Sequence, residues 1–119
     1  IKKLKLKNRI LLLGLSYKKN IEDVRESASI KIFSKLKFKK YKIDYCDPFV
    51  EKFVYKENNK SVEIKSKKQS KNIFKKYGLI IIATDHDKFN YDDILKSNKI
   101  IIDLRGRFRK IRNDNVLSF

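Results

Sequence analysis

A chain of 119 residues with 41% apolar residues is long enough for one domain that buries roughly two-thirds of its unfolded surface. That core excludes global disorder despite 38% charged residues. The formal charge of +17 directs attention to anionic partners, yet the lysines run from Lys2 to Lys110 without forming one stripe, as a general lysine bias would leave them.

In chain order, the apolar run Ile10 to Leu13 predicts a buried strand over about Asn8 to Leu15, with Gly14 at its end. The polar loop Ser16 to Arg25 follows, and then a helix over about Glu26 to Lys40, with Ile30, Phe33 and Leu36 on one face. Tyr41 to Tyr45 predicts a second strand, closed by the Asp47-Pro48 turn. Phe49 to Asn59 is ambiguous: Val50, Phe53 and Val54 fit a short helix, with Glu57-Asn58-Asn59 as a loop. Ser61 to Ile64 alternates weakly, as a short strand does. Ser70 to Tyr77 has a helical face (Ile73, Phe74, Tyr77), and Gly78 suits its C-terminal cap. Leu79 to Ala83 and Lys99 to Leu104 are near-continuous Ile and Leu runs, separated by a short helix over Asp92 to Lys96. Runs of that kind indicate parallel strands covered on both faces. The expected fold is a single α/β domain over residues 1–119, a Rossmann-like three-layer αβα sandwich with a mostly parallel sheet of about five strands.

Parallel strands bring the loops Ser16 to Arg25, Thr84 to Asp87 and Arg105 to Arg107 to one sheet edge, the default ligand site of open α/β sheets. Lysines, arginines and Tyr17 there suit an anion with a flat base, and arginine is the better bidentate reader of phosphate. The loop after the first strand carries only Gly14, neither a G-x-G-x-x-G fingerprint nor a P-loop, so any phosphate is held mainly by side chains. Surface loops are polar in any case, and a lysine-rich chain places two lysines on a loop without any ligand. Cys46 reads as a buried, inert thiol, because reactivity needs a depressed pKa. His86, between Asp85 and Asp87, is weak evidence for a metal site. Asp23 and Glu26 read as helix-start carboxylates that pair with Lys18 or Arg25, not as an acid/base pair. A lone cysteine fits a reducing compartment. No run reaches the roughly 20 apolar residues of a membrane span, and the basic N-terminus lacks an export core. A cytoplasmic protein without membrane attachment is expected.

Four segments carry a resemblance. Gly14-Leu15-Ser16-Tyr17-Lys18-Lys19-Asn20 followed by Asp23-Val24-Arg25-Glu26-Ser27 resembles the G-x-[AS]-[FY]-K-x-[DN]-x-x-D-x-R-E-S signature of the UDP-glucose/GDP-mannose dehydrogenase family. That signature opens the family's C-terminal, UDP-binding domain. Tyr45-Cys46-Asp47-Pro48 resembles its Y-D-P turn, Ala83-Thr84-Asp85-His86-Asp87-Lys88-Phe89 its A-T-x-H-x-x-F segment, and Ile102-Asp103-Leu104-Arg105 its D-x-R strand end.

The resemblance implies a fragment of an enzyme that uses NAD to oxidise the C6 alcohol of a UDP-sugar to a uronic acid, through a thiohemiacetal on cysteine. The nicotinamide fingerprint and the cysteine-bearing motif are absent here, and Cys46 does not match the catalytic position. NAD is therefore expected mainly on an N-terminal domain. No catalytic residue or metal ligand is assigned to this chain, and the fragment alone is expected to be inactive. Tyr17, Lys18 and Arg105 match substrate-contacting positions, and Arg25 matches the arginine that reaches toward NAD. Asn20 stands where aspartate is usual, removing a charge near Lys18. Ala28 replaces the proline common after Arg-Glu-Ser. The implied setting is cytoplasmic synthesis of sugar acids for surface polysaccharide, with a homo-oligomeric full-length enzyme and a monomeric fragment. The sugar, and uracil against guanine, stay open. The alternative is a basic nucleic-acid-binding module, resting on the +17 charge; a receiver-like domain would need an acidic cluster at the strand ends.

Overall fold

The computed structural model describes residues 5–16, 18–20 and 27–118, with side chains from Arg9 onward. Among these residues there are seven strands, β1 (Lys5–Leu13), β2 (Lys42–Cys46), β3 (Lys52–Glu57), β4 (Lys60–Lys65), β5 (Leu79–Ile82), β6 (Ile100–Asp103) and β7 (Val116–Ser118), with helix α1 (Ala28–Phe38) after β1, a 3-10 turn at Ile73–Lys76 after β4 and helix α2 (Tyr91–Lys96) after β5. Five strands form one sheet in the order β2-β1-β5-β6-β7. All four of its pairings are parallel, so the Rossmann-like expectation holds.

The apolar runs sit centrally because both of their faces are covered. Leu11, Leu13, Ile80, Ile82 and Ile101 face a core shared with Phe74 of the 3-10 turn and Ile94 of α2. Ile10, Leu12, Leu79 and Ile81 face the other core, with Phe33 of α1 and Phe53 of β3. Strand side chains point to opposite faces in turn, so one run of four apolar residues serves both cores.

The boundaries move for local reasons. Gly14 takes a left-handed φ of 91°, which ends β1 at Leu13 rather than Leu15. Helix α1 begins at Ala28 because the Ser27 hydroxyl accepts the Ser29 amide as its N-cap. Ala28 thus stands at the first helical position, where proline is tolerated best.

The Phe49 to Asn59 stretch is not a helix. Phe53 and Tyr55 alternate inward on β3, which pairs antiparallel with β4. Asn58 and Asn59 both take left-handed φ, 52° and 65°, as a two-residue hairpin turn requires. The helix expected over Ser70 to Tyr77 shrinks to the four-residue 3-10 turn. Gly78 is not its left-handed cap: the described glycines with positive φ are Gly14 and Gly106. The Gly78 amide instead donates to the Arg9 carbonyl at 2.9 Å, leading into β5. The tail supplies β7, a strand with no sequence pattern of its own, held by pairing with β6.

Candidate functional site

The chain leaves β1 for β2 on one side and returns to β5 on the other. The loops after β1 and β5 therefore flank the point where strand order reverses, where open α/β sheets leave a crevice. Gly14 makes the approach of these loops possible. A Cβ there would lie 2.3 Å from the Thr84 carbonyl oxygen and 2.5 Å from the Thr84 Cβ. The Thr84 hydroxyl then donates to the Ser16 carbonyl at 2.8 Å.

Asp47, from the Asp-Pro turn after β2, ties a third loop in. Its Oδ2 accepts the Leu15 amide at 2.6 Å, the Ser16 amide at 3.0 Å and His86 Nε2 at 2.9 Å, and its Oδ1 accepts the Phe49 amide at 2.8 Å. Burial pushes this carboxyl's pKa up, but the hydrogen bonds from His86, Leu15 and Phe49 outweigh burial and hold it below the ordinary value.

His86 is fully buried, with Phe49 and Phe89 rings 4.8 and 5.6 Å from its own. Its Nδ1 accepts the Asn20 amide at 2.7 Å, so the ring hydrogen resides on Nε2. That hydrogen faces Asp47 Oδ2 and, at 3.0 Å, Ser16 Oγ. The Ser16 hydroxyl donates in turn to the Lys18 carbonyl at 3.0 Å. Serine and aspartate thus meet the same ring nitrogen. A nucleophilic relay needs them on opposite nitrogens, so this constellation is a scaffold. Both imidazole nitrogens are committed to protein partners, which leaves no lone pair for a metal; among the described residues no group of three potential ligands gathers.

Lys18 is exposed on the β1 loop. Arg105, also exposed, follows β6 and donates from Nε to the Ala83 carbonyl at 2.7 Å, while its amide donates to Asp103 Oδ1 at 3.2 Å. Segment 83–87 is thus the common tether: it holds Arg105 on one side and Asn20, two residues past Lys18, on the other. Tyr17 and Arg25 lie outside the described residues, as do Asp23 and Glu26. Cys46 is buried and its thiol is pushed up to about 12 by burial, with the Asp47 charge adding to it. It is the inert group expected. Asp47 and Asn20 were legible only as a turn residue and a departure; the sequence signal for Asp47 was its place in the Tyr-Cys-Asp-Pro segment.

Residues 11–110 match the model of the UDP-glucose/GDP-mannose dehydrogenase family, UDP binding domain. The chain belongs to this family. The UDP-binding domain is 30% identical over 108 residues to UDP-N-acetyl-D-mannosamine dehydrogenase of Methanococcus vannielii, a match covering 84% of this chain and 23% of that protein. The solved UDP-D-ManNAc dehydrogenase from Pyrococcus horikoshii matches 92% of this chain and 24% of its own, with a TM-score of 0.64 and 25% identity. A ternary complex of GDP-mannose dehydrogenase from Pseudomonas aeruginosa shares the fold at a TM-score of 0.70 and 18% identity, over 93% of this chain and 28% of that one. The UDP-binding domain therefore spans about a quarter of the length of these relatives.

A cavity of about 740 Å³ between the end of α1 and the hairpin, lined by Phe38, Lys35 and Lys56 among others, opens at the opposite end of the sheet. It lies away from the switch-point loops that carry the family's motifs.

Proposed function

We propose that this domain holds the nucleotide of a UDP-sugar in an NAD-dependent 6-dehydrogenase, which oxidises the C6 alcohol to the carboxylate of a uronic acid. Lys18 and Arg105 contact the substrate through charge-assisted hydrogen bonds, Tyr17 adds an aromatic face, and Arg25 reaches toward NAD. The observation that carries the reading is the lacing of the Lys18 and Arg105 loops to one segment, 83–87, at the reversal of strand order. The names of the relatives make UDP-N-acetyl-D-mannosamine the first substrate to try.

The residues here do not fit NAD as its main binder. Gly14 is packed against the Thr84 backbone, so its missing side chain serves contact between loops and not the approach of a pyrophosphate. In this reading the nicotinamide and the nucleophile belong to the remaining three quarters of the relatives' length. The setting proposed for the whole protein is a cytoplasmic homo-oligomer that supplies sugar acids for surface polysaccharide.

The test is a titration of the chain with UDP, followed through backbone amide resonances. Shifts confined to the loops after β1, β5 and β6 are expected. Shifts elsewhere, or none at millimolar UDP, would refute the reading.

A further inference from the structure

We infer that Asn20 is a positioning residue for Lys18: its side-chain amide, paired with Asp87, and its backbone N–H, seated on His86 Nδ1, set where the β1 loop presents that lysine. The inference rests on the reading of Lys18 as a nucleotide contact.

Among the described residues of the β1 loop tip, Lys18, Lys19 and Asn20 are all exposed. The contacts that tie these residues down are polar, and they form a closed circuit. Asn20 Nδ2 donates to Asp87 Oδ2 at 2.7 Å, while the Asp87 amide donates to Asn20 Oδ1 at 2.9 Å. The other oxygen of Asp87 takes Arg107 at 3.0 Å, and that guanidinium lies 4.2 Å over the Tyr91 ring. The Tyr91 hydroxyl donates to the His86 carbonyl at 2.6 Å, and His86 Nδ1 receives the Asn20 amide, which closes the circuit. The same imidazole fixes the other side of Lys18, because its Nε2 faces the Ser16 hydroxyl that donates to the Lys18 carbonyl.

Only an amide fits position 20 in this circuit. It must donate to a carboxylate and accept a backbone N–H at once, with its backbone at a φ of 63° that asparagine tolerates. Aspartate, usual at this position, would keep the acceptor half and set two carboxylates against each other. Asn20 and Asp87 therefore act as a matched pair, and the loss of charge at position 20 is compensated rather than loosening the loop.

The test uses the full chain, with amide hydrogen exchange over residues 14–20 and UDP affinity as two separate readouts. Asn20→Asp should speed exchange of the residue-20 amide and weaken UDP binding, each by about tenfold, with little change in melting temperature. Asn20→Asp combined with Asp87→Asn restores one amide and one carboxylate and should recover both readouts to within about threefold. Asn20→Gly keeps the left-handed backbone without the side-chain bonds, and should speed exchange even if Asn20→Asp folds poorly. Unchanged exchange in Asn20→Asp and Asn20→Gly would overturn the inference, and so would a double variant as impaired as the single one. If Lys18→Ala binds UDP like the parent chain while the exchange pattern follows the pair, the nucleotide reading fails; the loop is positioned by the pair, but not for UDP.

Discussion

Asp47 is the residue on which three loops depend, and its lowered pKa has a stability consequence whose sign is fixed. A carboxyl held below its ordinary value of 3.8 contributes stability that is fully present above that value and is lost as pH falls through the folded-state pKa. Asp47→Asn should therefore cost about 3 kcal/mol near neutral pH, because buried donors lose a charged acceptor. It should also flatten the acid limb of the stability curve; denaturant unfolding between about pH 7 and pH 2.5 checks both. An unchanged acid limb would show that Asp47 is not the linked group. Lys18 and Arg105 carry the binding prediction. Each charge-assisted contact is worth about 1.5–3 kcal/mol when desolvated, so Lys18→Ala or Arg105→Ala should weaken UDP-sugar binding by roughly 10- to 150-fold. Lys37→Ala, near the end of α1, is the control and should bind like the parent chain. Equal affinities for all three variants would sink the site assignment while leaving the family assignment standing.

At the scale of elements, the close approach of the β1 and β5 loops is the feature most sensitive to substitution. Gly14→Ala places a methyl 2.3 Å from the Thr84 carbonyl oxygen at a φ of 91°. Steric strain and the left-handed backbone add to about 3 kcal/mol or more, and the melting temperature should fall accordingly. The hairpin offers a milder test. Ala at both Asn58 and Asn59 keeps two left-handed residues without the asparagine's tolerance for them, at about 2 kcal/mol for the pair. That change should loosen β3–β4, read by hydrogen exchange, and leave UDP binding alone, since the Asn58-Asn59 turn is at the far end of the hairpin from its Asp47-flanking base. Asn58-Asn59 between alternating Phe53, Tyr55, Val62 and Ile64 was a hairpin signal visible in the sequence. The helical spacing of Val50, Phe53 and Val54 competed with it, and the packing of Phe53 on Phe33 at 5.2 Å decided for the strand.

For the whole molecule, the +17 charge is the property most easily misread. Lysines line the cavity at the far end of the sheet, and any polyanion will feel the summed field. Binding of that kind falls steeply with salt. We expect weak, sequence-blind nucleic-acid binding that disappears near physiological ionic strength, measured by salt-dependent fluorescence anisotropy. Tight binding to a defined DNA or RNA there would favour the basic-module reading. The described chain contains no helix long and apolar enough to cross a membrane. The chain alone should also fail to reduce NAD with UDP-N-acetyl-D-mannosamine, since Cys46 is buried and its thiol is pushed up to about 12. Turnover that survives removal of contaminants would contradict the proposed division of labour.

The sequence by itself determined the parallel sheet and the edge at which its motif loops gather. Continuous apolar runs such as Ile10–Leu13 and Leu79–Ile82 can be buried only when both faces are covered, and that requirement is local enough to read from composition. The family motifs were legible for the same reason, being short stretches of fixed spacing. Tertiary structure decided what no window of sequence contains. Strand β7 exists because β6 offers it an edge, and the helix expected before Gly78 gave way to a 3-10 turn packed into the core. Asp47, His86 and Asn20 became one scaffold only when their loops met, with His86 39 residues from Asp47 and 66 from Asn20 along the chain. Each of those side chains is ordinary in its own segment. Their meaning lies in which donor faces which acceptor, and the order of the strands settles that.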